Sequence, residues 1–443
     1  MKKIVASVGL AAIGASGIES ASAQALVAPD ASKPWSVSAT LRGFYDSNPS
    51  TLPNDVPVPS GYQKESAGFQ FEPSAALLWS VEETTVNLGV LYSLKYYDNT
   101  PINSTDHTDQ SFSFNAGLTH AFSEETKFAV SDSFVIGQEP DMLRAGNTFS
   151  TFQRISGDNI RNAGTIDLET QITPEFGLGV GYDNSYYDYQ DTQMSTSGAQ
   201  IVPSIAGTLN RIENRAHLEA FWRLNPETKL LVGYQFTGTD YTSDQPIAGL
   251  GFVPNPTWFY ANQRNSYENT GYVGAEHAFR PDLTGSIRVG GSYTDYYNDS
   301  GANNPVTPYV NAILKYTYAP ESHVDFGFSY DVNATDVVGP QFTLNGTTAT
   351  LDAQSAVVFV DVTHRLTPHL YGSLTAQYQN SEYNGGAYNG DSDNYYLVGL
   401  QLEYRFTQYF SASVGYNYDD LQSDIPDRSF NRNRVYIGVT ATY

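Results

Sequence analysis

The chain has 443 residues, no cysteine, a formal net charge of −24 and a mean hydropathy of −0.36. So acidic a balance excludes a nucleic-acid binder, which needs a basic footprint, and without cysteine no disulfide can hold the fold. Tyr (33), Gly (37) and Phe (23) are abundant while Met is scarce (3), which suits close-packed strands with aromatic ends.

In chain order, Lys2 and Lys3 precede an apolar, small-residue stretch from Ile4 to Ile18, and Ala21-Ser22-Ala23 has the A-x-A form of a secretory cleavage site. The stretch is shorter than the ~20 apolar residues of a spanning helix. A cleaved signal peptide over residues 1–23 is therefore expected, rather than an anchor. Its removal takes away Lys2, Lys3 and Glu19 and moves the charge from −24 to −25. Residues 24–35 form a short segment before the first strand. No later run offers a spanning helix, but a polar mean still permits a membrane wall when every second strand residue faces lipid.

From Ser36 onward one unit repeats. Two alternating runs flank a short turn, and the turn recurs eight times with its third position 39 to 55 residues from the next. The first four turns are Val81-Glu82-Glu83-Thr84, Ser123-Glu124-Glu125-Thr126, Thr173-Pro174-Glu175-Phe176 and Asn225-Pro226-Glu227-Thr228. Arg280-Pro281-Asp282-Leu283, Ala319-Pro320-Glu321-Ser322, Thr367-Pro368-His369-Leu370 and Thr407-Gln408-Tyr409-Phe410 follow. Proline presets φ at a turn's second position, and acidic or hydroxyl side chains cap the local amides. The opposite connections are long and rich in Asn, Asp, Gly and Ser. Short turns at one end and long loops at the other predict periplasm below and exterior above.

The runs have period two. Val86-Leu88-Val90-Tyr92-Leu94, Val324-Phe326-Phe328-Tyr330, Leu370-Gly372-Leu374-Ala376-Tyr378, Tyr396-Val398-Leu400-Leu402-Tyr404 and Phe410-Ala412-Val414-Tyr416-Tyr418 each alternate with polar or small residues. One face of each strand is wet, so these are not strands of a buried parallel sheet. One strand at each end and two at every turn predict an all-β, antiparallel up-and-down transmembrane barrel of about 18 strands, wide enough for an aqueous channel. Two residues break the pattern. Asp132 falls on the apolar face of Phe128-Val130-Asp132-Phe134, where a charge at mid-membrane is costly and a bulge or shifted boundary is expected. Pro73 interrupts Phe69-Phe71-Ala75-Leu77-Trp79.

The last strand places Val435, Ile437, Val439, Ala441 and Tyr443 on one face and stops on an aromatic. This resembles the terminal signal by which barrel-assembly machinery recognises outer-membrane proteins. With the aromatic-Asp-x-Asn ending of the first strand, Tyr45-Asp46-Ser47-Asn48, and the Pro-Glu and Pro-Asp turns, residues 36–443 resemble the β-barrel porin-2 family of outer-membrane proteins. The resemblance brings no catalytic residues. Because some members accompany exopolysaccharide export, it implies that role as an alternative function.

Inward positions mix charges. Glu403 and Arg405 share a face with Gln401, and closure is expected to bring Arg434 beside Arg42 and Glu72. Lys95, Arg215, Arg223, Arg288 and Lys315 face Asp167, Glu169, Glu219, Asp325, Asp331 and Asp361. Such residues either set a transverse field across a pore or pair with strand neighbours and keep the wall wet; both readings stand at this point.

Two loops are long enough to do more than turn. Gly137 to Asn159, with Asp141, Arg144, Phe149, Phe152 and Arg154, can fold inward and narrow the pore. Gly238 to Asn265 carries Tyr241, Phe252, Trp258, Phe259, Tyr260 and Arg264, which offer either a sugar-stacking surface or loop packing. His120, His277 and His364 sit before separate turns, where interfacial placement suits them better than a shared metal. No catalytic, metal or cofactor motif stands out, so no enzyme and no cofactor are expected.

Only residues 24–35 precede the first strand, too few for the plug of a TonB-dependent transporter, and an autotransporter's passenger is missing. The expected function is an outer-membrane porin of a Gram-negative bacterium, passing small hydrophilic solutes with mild cation selectivity. Expected partners are lipid, the assembly machinery and, by analogy with general porins, two further copies in a homotrimer. Alternatives are an exopolysaccharide export conduit or accessory and a structural or adhesive barrel with a plugged lumen.

Overall fold

The computed structural model describes residues 33–102, 104, 106–137, 146–154, 159–192, 195–197, 200–249, 258–299, 302, 304–338 and 349–443. The expected signal peptide and most of the expected segment after it lie outside them, as do Asp141, Arg144 and Phe252.

Alternating side chains force each run into extended chain, because only a two-residue repeat puts all apolar groups on one face. The strands are β1 (Trp35–Asp46), β2 (Ser66–Val81), β3 (Thr84–Tyr97), β4 (Thr108–Ala121), β5 (Thr126–Gly137), β6 (Asn159–Gln171) and β7 (Phe176–Tyr189). Two short loop strands follow, β8 (Ser195–Ser197) and β9 (Gln200–Val202), then β10 (Arg211–Asn225) and β11 (Thr228–Tyr241). A second loop pair, β12 (Pro246–Gly249) and β13 (Trp258–Tyr260), precedes β14 (Ser266–Arg280), β15 (Leu283–Asp295), β16 (Val306–Ala319) and β17 (Ser322–Asn333). The wall is completed by β18 (Asp352–Arg365), β19 (Leu370–Asn384), β20 (Ser392–Thr407), β21 (Phe410–Ser423) and β22 (Phe430–Thr442).

Apart from the two loop pairs, these form one 18-stranded antiparallel sheet in chain order. It closes on itself, with β1 paired to β2 on one side and to β22 on the other, from Ser38↔Thr442 to Asp46↔Arg434. A closed sheet leaves no unpaired edge, which is the condition for crossing a bilayer with strands. Ile437, Val232 and Val273 are 68%, 61% and 55% exposed on the outer face, against the usual rule for large apolar residues in water.

All eight predicted turns join strands at one end. Pro320 precedes Glu321, which takes a φ of +56°, a type II-like shape that proline sets up. In the longer turns a hydroxyl replaces a backbone acceptor: Ser123 Oγ accepts the amides of Glu125 and Thr126, and Thr367 Oγ1 those of His369 and Leu370.

Pro73 does not end its strand. It faces Ala39 on β1, while the ladder to β3 runs from Phe71↔Leu94 to Ser74↔Leu91 and omits the two residues between. A proline has no N–H to give that side. At Asp132 the expected bulge is absent, since Ala116↔Asp132 and Asp132↔Gly164 continue both ladders. The side chain stays on the outer face between these small neighbours and accepts a 2.9 Å hydrogen bond from Asn162 Nδ2.

Its height explains this. Asp132 stands six positions above the start of its strand, as do Tyr182, Tyr234 and Tyr416. Those tyrosines donate outside the wall to Asn214, Asn269 and Asn433 at 2.6, 2.6 and 2.7 Å. This belt is where lipid gives way to polar groups. At the other end His120 and His277 stack edge-on against Phe122 and Phe279, each ring centroid pair 4.6 Å apart, and each His Nδ1 meets a threonine hydroxyl.

Candidate pore constriction and lumen wall

The nine sequence-predicted wall residues all lie on the inward face, but most find partners close by. Arg42 meets Glu72 at 2.7 Å on the neighbouring strand, and Lys95 stands opposite Gln70, whose amide donates to Glu72. Glu403 and Arg405 pair along one strand at 3.2 Å, and the Arg405 guanidinium lies 3.9 Å over the Tyr371 ring. Arg434 corrects the sequence reading. It stands opposite Asp46, four residues from the Arg42 row, and pairs with Asp419 at 2.6 Å rather than with Glu72.

Glu219 and Arg288 form the most connected group. Arg288 Nε donates to Glu219 Oε2 at 3.1 Å and its Nη2 to Glu276 at 3.1 Å, while Lys229 reaches Glu276 at 3.0 Å and Tyr272 donates to Glu219 at 3.2 Å. Above it His217 is buried between Asp167 and Asp183 at 3.2 and 3.7 Å. His217, Glu276, Arg211 and Glu213 were missed in the sequence. The available signal was β10 itself, whose alternate residues Arg211, Glu213, Arg215, His217, Glu219 and Arg223 put a charge or an imidazole at nearly every inward position. Lys315 likewise stands directly opposite Asp325 on the next strand. Local pairing is the rule along the wall.

The described part of the loop after β5 enters the barrel. Gly146 N donates to Gln377 Oε1 at 2.8 Å, and Gln377 Nε2 returns a bond to Asn147 O at 2.7 Å. Phe149 N donates to Gln379 Oε1 at 2.9 Å, and Gln379 Nε2 returns to Phe149 O at 3.0 Å. Two side-chain amides, two residues apart on one inward face of β19, thus stand in for a strand edge. Beyond them Phe152 stacks on Tyr395 at 4.7 Å in a cluster with Leu397, Leu421 and Phe430. Thr151 donates to Asp336 at 2.8 Å, and Arg154 closes on Asp109. The segment leaves one wall, between β5 and β6, and docks on the wall opposite.

A second layer caps it. Tyr241, Phe259, Ile247, Tyr296, Val338 and Leu351 form an apolar loop core. Of the aromatics after Gly238, Trp258 is half-buried and Tyr260 is exposed, whereas Tyr241 and Phe259 are buried and used in packing. Arg264 is buried beneath them and donates to the carbonyls of Thr208, Thr335 and Leu351 at 3.0, 2.8 and 3.0 Å. Burial pulls its pKa below the usual arginine range, against the opposing pull of Tyr241. At Arg428, in the last extracellular loop, burial has the same tendency, but Asp336, Tyr383 and Asp393 outweigh it and raise the group. Between segment 146–154 and the arc of wall from β7 to β18 a chamber of about 90 Å³ remains, lined by charges and hydroxyls.

Solved structures to which the chain is similar include the outer-membrane protein opdK of Pseudomonas aeruginosa, at 12% identity, TM-score 0.41, over 92% of this chain and 99% of that one. A BenF-like porin from Pseudomonas fluorescens Pf-5 gives 13% identity and TM-score 0.43 over 92% and 99%. OccK2 (OpdF) of Pseudomonas aeruginosa in complex with glucuronate gives 11% and 0.41 over 92% and 98%. No curated protein matches the chain. The family model described as Putative beta-barrel porin 2 matches residues 38–443, nearly the whole closed wall, and the chain belongs to that family of outer-membrane porin barrels.

Proposed function

We propose that the protein is a passive channel for small hydrophilic solutes with mild cation selectivity. The observation that carries this reading is a closed eighteen-strand wall, charged on its inner face, with segment 146–154 laid across the lumen. Acidic residues ring the mouth at the turns, among them Glu82, Glu83, Glu124, Glu125, Glu175 and Glu227, and raise the local cation concentration there. The loop core over Arg264 favours a second reading, a barrel with a closed lumen.

Planar bilayers separate the two. Purified protein is expected to give stepwise conductance, a reversal potential of cation sign under a KCl gradient, and liposome swelling that falls off with sugar size. Silence in all assays would favour the closed barrel, and a chloride preference would reject the sign.

The same proposal includes cleavage after Ala23, a short periplasmic segment over residues 24–35, and a homotrimer. It also assigns Val435, Ile437, Val439, Ala441 and Tyr443 to recognition by the assembly machinery. Supporting the last point, all five lie on the outer face, and Tyr443 is tied to Val37 by two backbone hydrogen bonds at the closing seam.

A further inference from the structure

Segment 146–154 divides the lumen, and its two sides are filled differently. Toward β19–β22 and β1 each acid has an arginine at hand: Arg42 with Glu72, Arg434 with Asp419, Arg432 with Asp46, and Arg428 shared between Asp336 and Asp393. Phe152 and its aliphatic neighbours fill much of the same side. The chamber lies on the other side, against the arc from β7 to β18. At ~10–15 Å³ per water, a volume of this size holds on the order of half a dozen waters.

Seven charged residues line it, and four offset one another. Arg211 meets Glu213 at 2.6 Å. Arg264, engaged with three carbonyls, is balanced in sign by Asp352, which accepts from Asn384 and Tyr296. The rest are Arg215, Glu268 and Asp331, which converge from β10, β14 and β17 and leave one formal net negative charge. Thr237, Thr239, Ser266 and Thr294 supply hydroxyls around them. Further along this wall Glu219 and Glu276 are matched by Arg288 and Lys229, while Asp167 and Asp183 about His217 add to the same sign.

The geometry points to Glu268 and Asp331, opposed by Arg215, as the residues that set the sign of the permeating ion. The chamber favours a small cation, free or carried as a primary ammonium group on a small solute. This inference rests on the channel reading above. It differs from the acidic mouth in a measurable way. The field of exposed rim acids reaches only about 3 Å in 1 M salt, whereas charges inside a narrow, water-poor passage act on the ion directly and are screened much less.

Reversal potentials under a KCl gradient, at low and high salt, test it with the full barrel in planar bilayers. In Glu268→Gln/Asp331→Asn the cation-to-anion permeability ratio is expected to fall about three-fold or more, and to do so at high salt as well. Arg215→Gln is expected to raise the ratio. An unmoved ratio in the double variant, or a shift in the same direction from Arg215→Gln, overturns the assignment. If the double variant fails to assemble, the two single variants and Arg215→Gln decide in the same way. Wild-type protein that forms no channel removes the porin reading and this one together; a conducting wild type with unmoved variants removes this one alone.

Discussion

Replacing Gln377 and Gln379 together by Ala is expected to raise single-channel conductance about two-fold or more, because four hydrogen bonds of roughly 1 kcal/mol each hold the crossing segment. Both glutamines are buried, and both use the amide in two directions, accepting from one backbone amide and donating to a carbonyl. Alanine keeps the strand and removes only the side-chain edge on which residues 146–149 rest. The segment stays tethered through Phe152, Thr151 and Arg154, so the passage should widen and become noisy rather than open fully. Larger sugars should enter in swelling assays, and each single variant should give a smaller effect. Unchanged conductance and sieving in a double variant that assembles normally would show that the segment does not define the aperture.

The second large effect is expected at Arg264. One guanidinium serves carbonyls from two other connections, that of Thr208 between β7 and β10 and those of Thr335 and Leu351 between β17 and β18. Arg264→Ala leaves three buried acceptors without a charged donor, at about 1–3 kcal/mol each. The wall has its own ladders and does not depend on this bolt, so the cost falls on the loops. Limited proteolysis of the variant should cut the extracellular connections at least about ten-fold faster, while the barrel keeps its resistance to unfolding in detergent. Arg264→Lys, with one compact ammonium in place of a planar fork, should fall between the two. Cleavage rates equal to wild type would contradict the clamp.

The wall was legible in the sequence because its code is local. A two-residue period states which face a residue takes, and a Pro-Glu pair states where the chain turns, so strand number and closure followed. Height and partner are not local, and there the reading stopped. Alternation placed Asp132 on the outer face correctly but could not say that it stands near the polar belt, and so a bulge was expected where none occurs. It placed Arg434 inward but set it beside Glu72 instead of Asp419, because the partner depends on the register across the closing seam.

The constriction was harder still. The inward fold of the loop after β5 was one of its readings, but the glutamines that anchor it are about 230 residues away. They belong to a strand whose sequence shows only ordinary alternation. His217, by contrast, was within reach, since the inward positions of β10 form a nearly unbroken polar row.

Single-cysteine labelling along the last strand tests most directly which side of the wall meets oil, and the cysteine-free chain gives a clean background. Arg434→Cys and Thr440→Cys are predicted to react with a membrane-impermeant, water-soluble maleimide in the assembled barrel. Val435→Cys, Ile437→Cys and Val439→Cys are predicted to stay unreactive until detergent and denaturant expose them. Equal rates along the strand, or the opposite alternation, would contradict a lipid-facing apolar side and a water-filled interior.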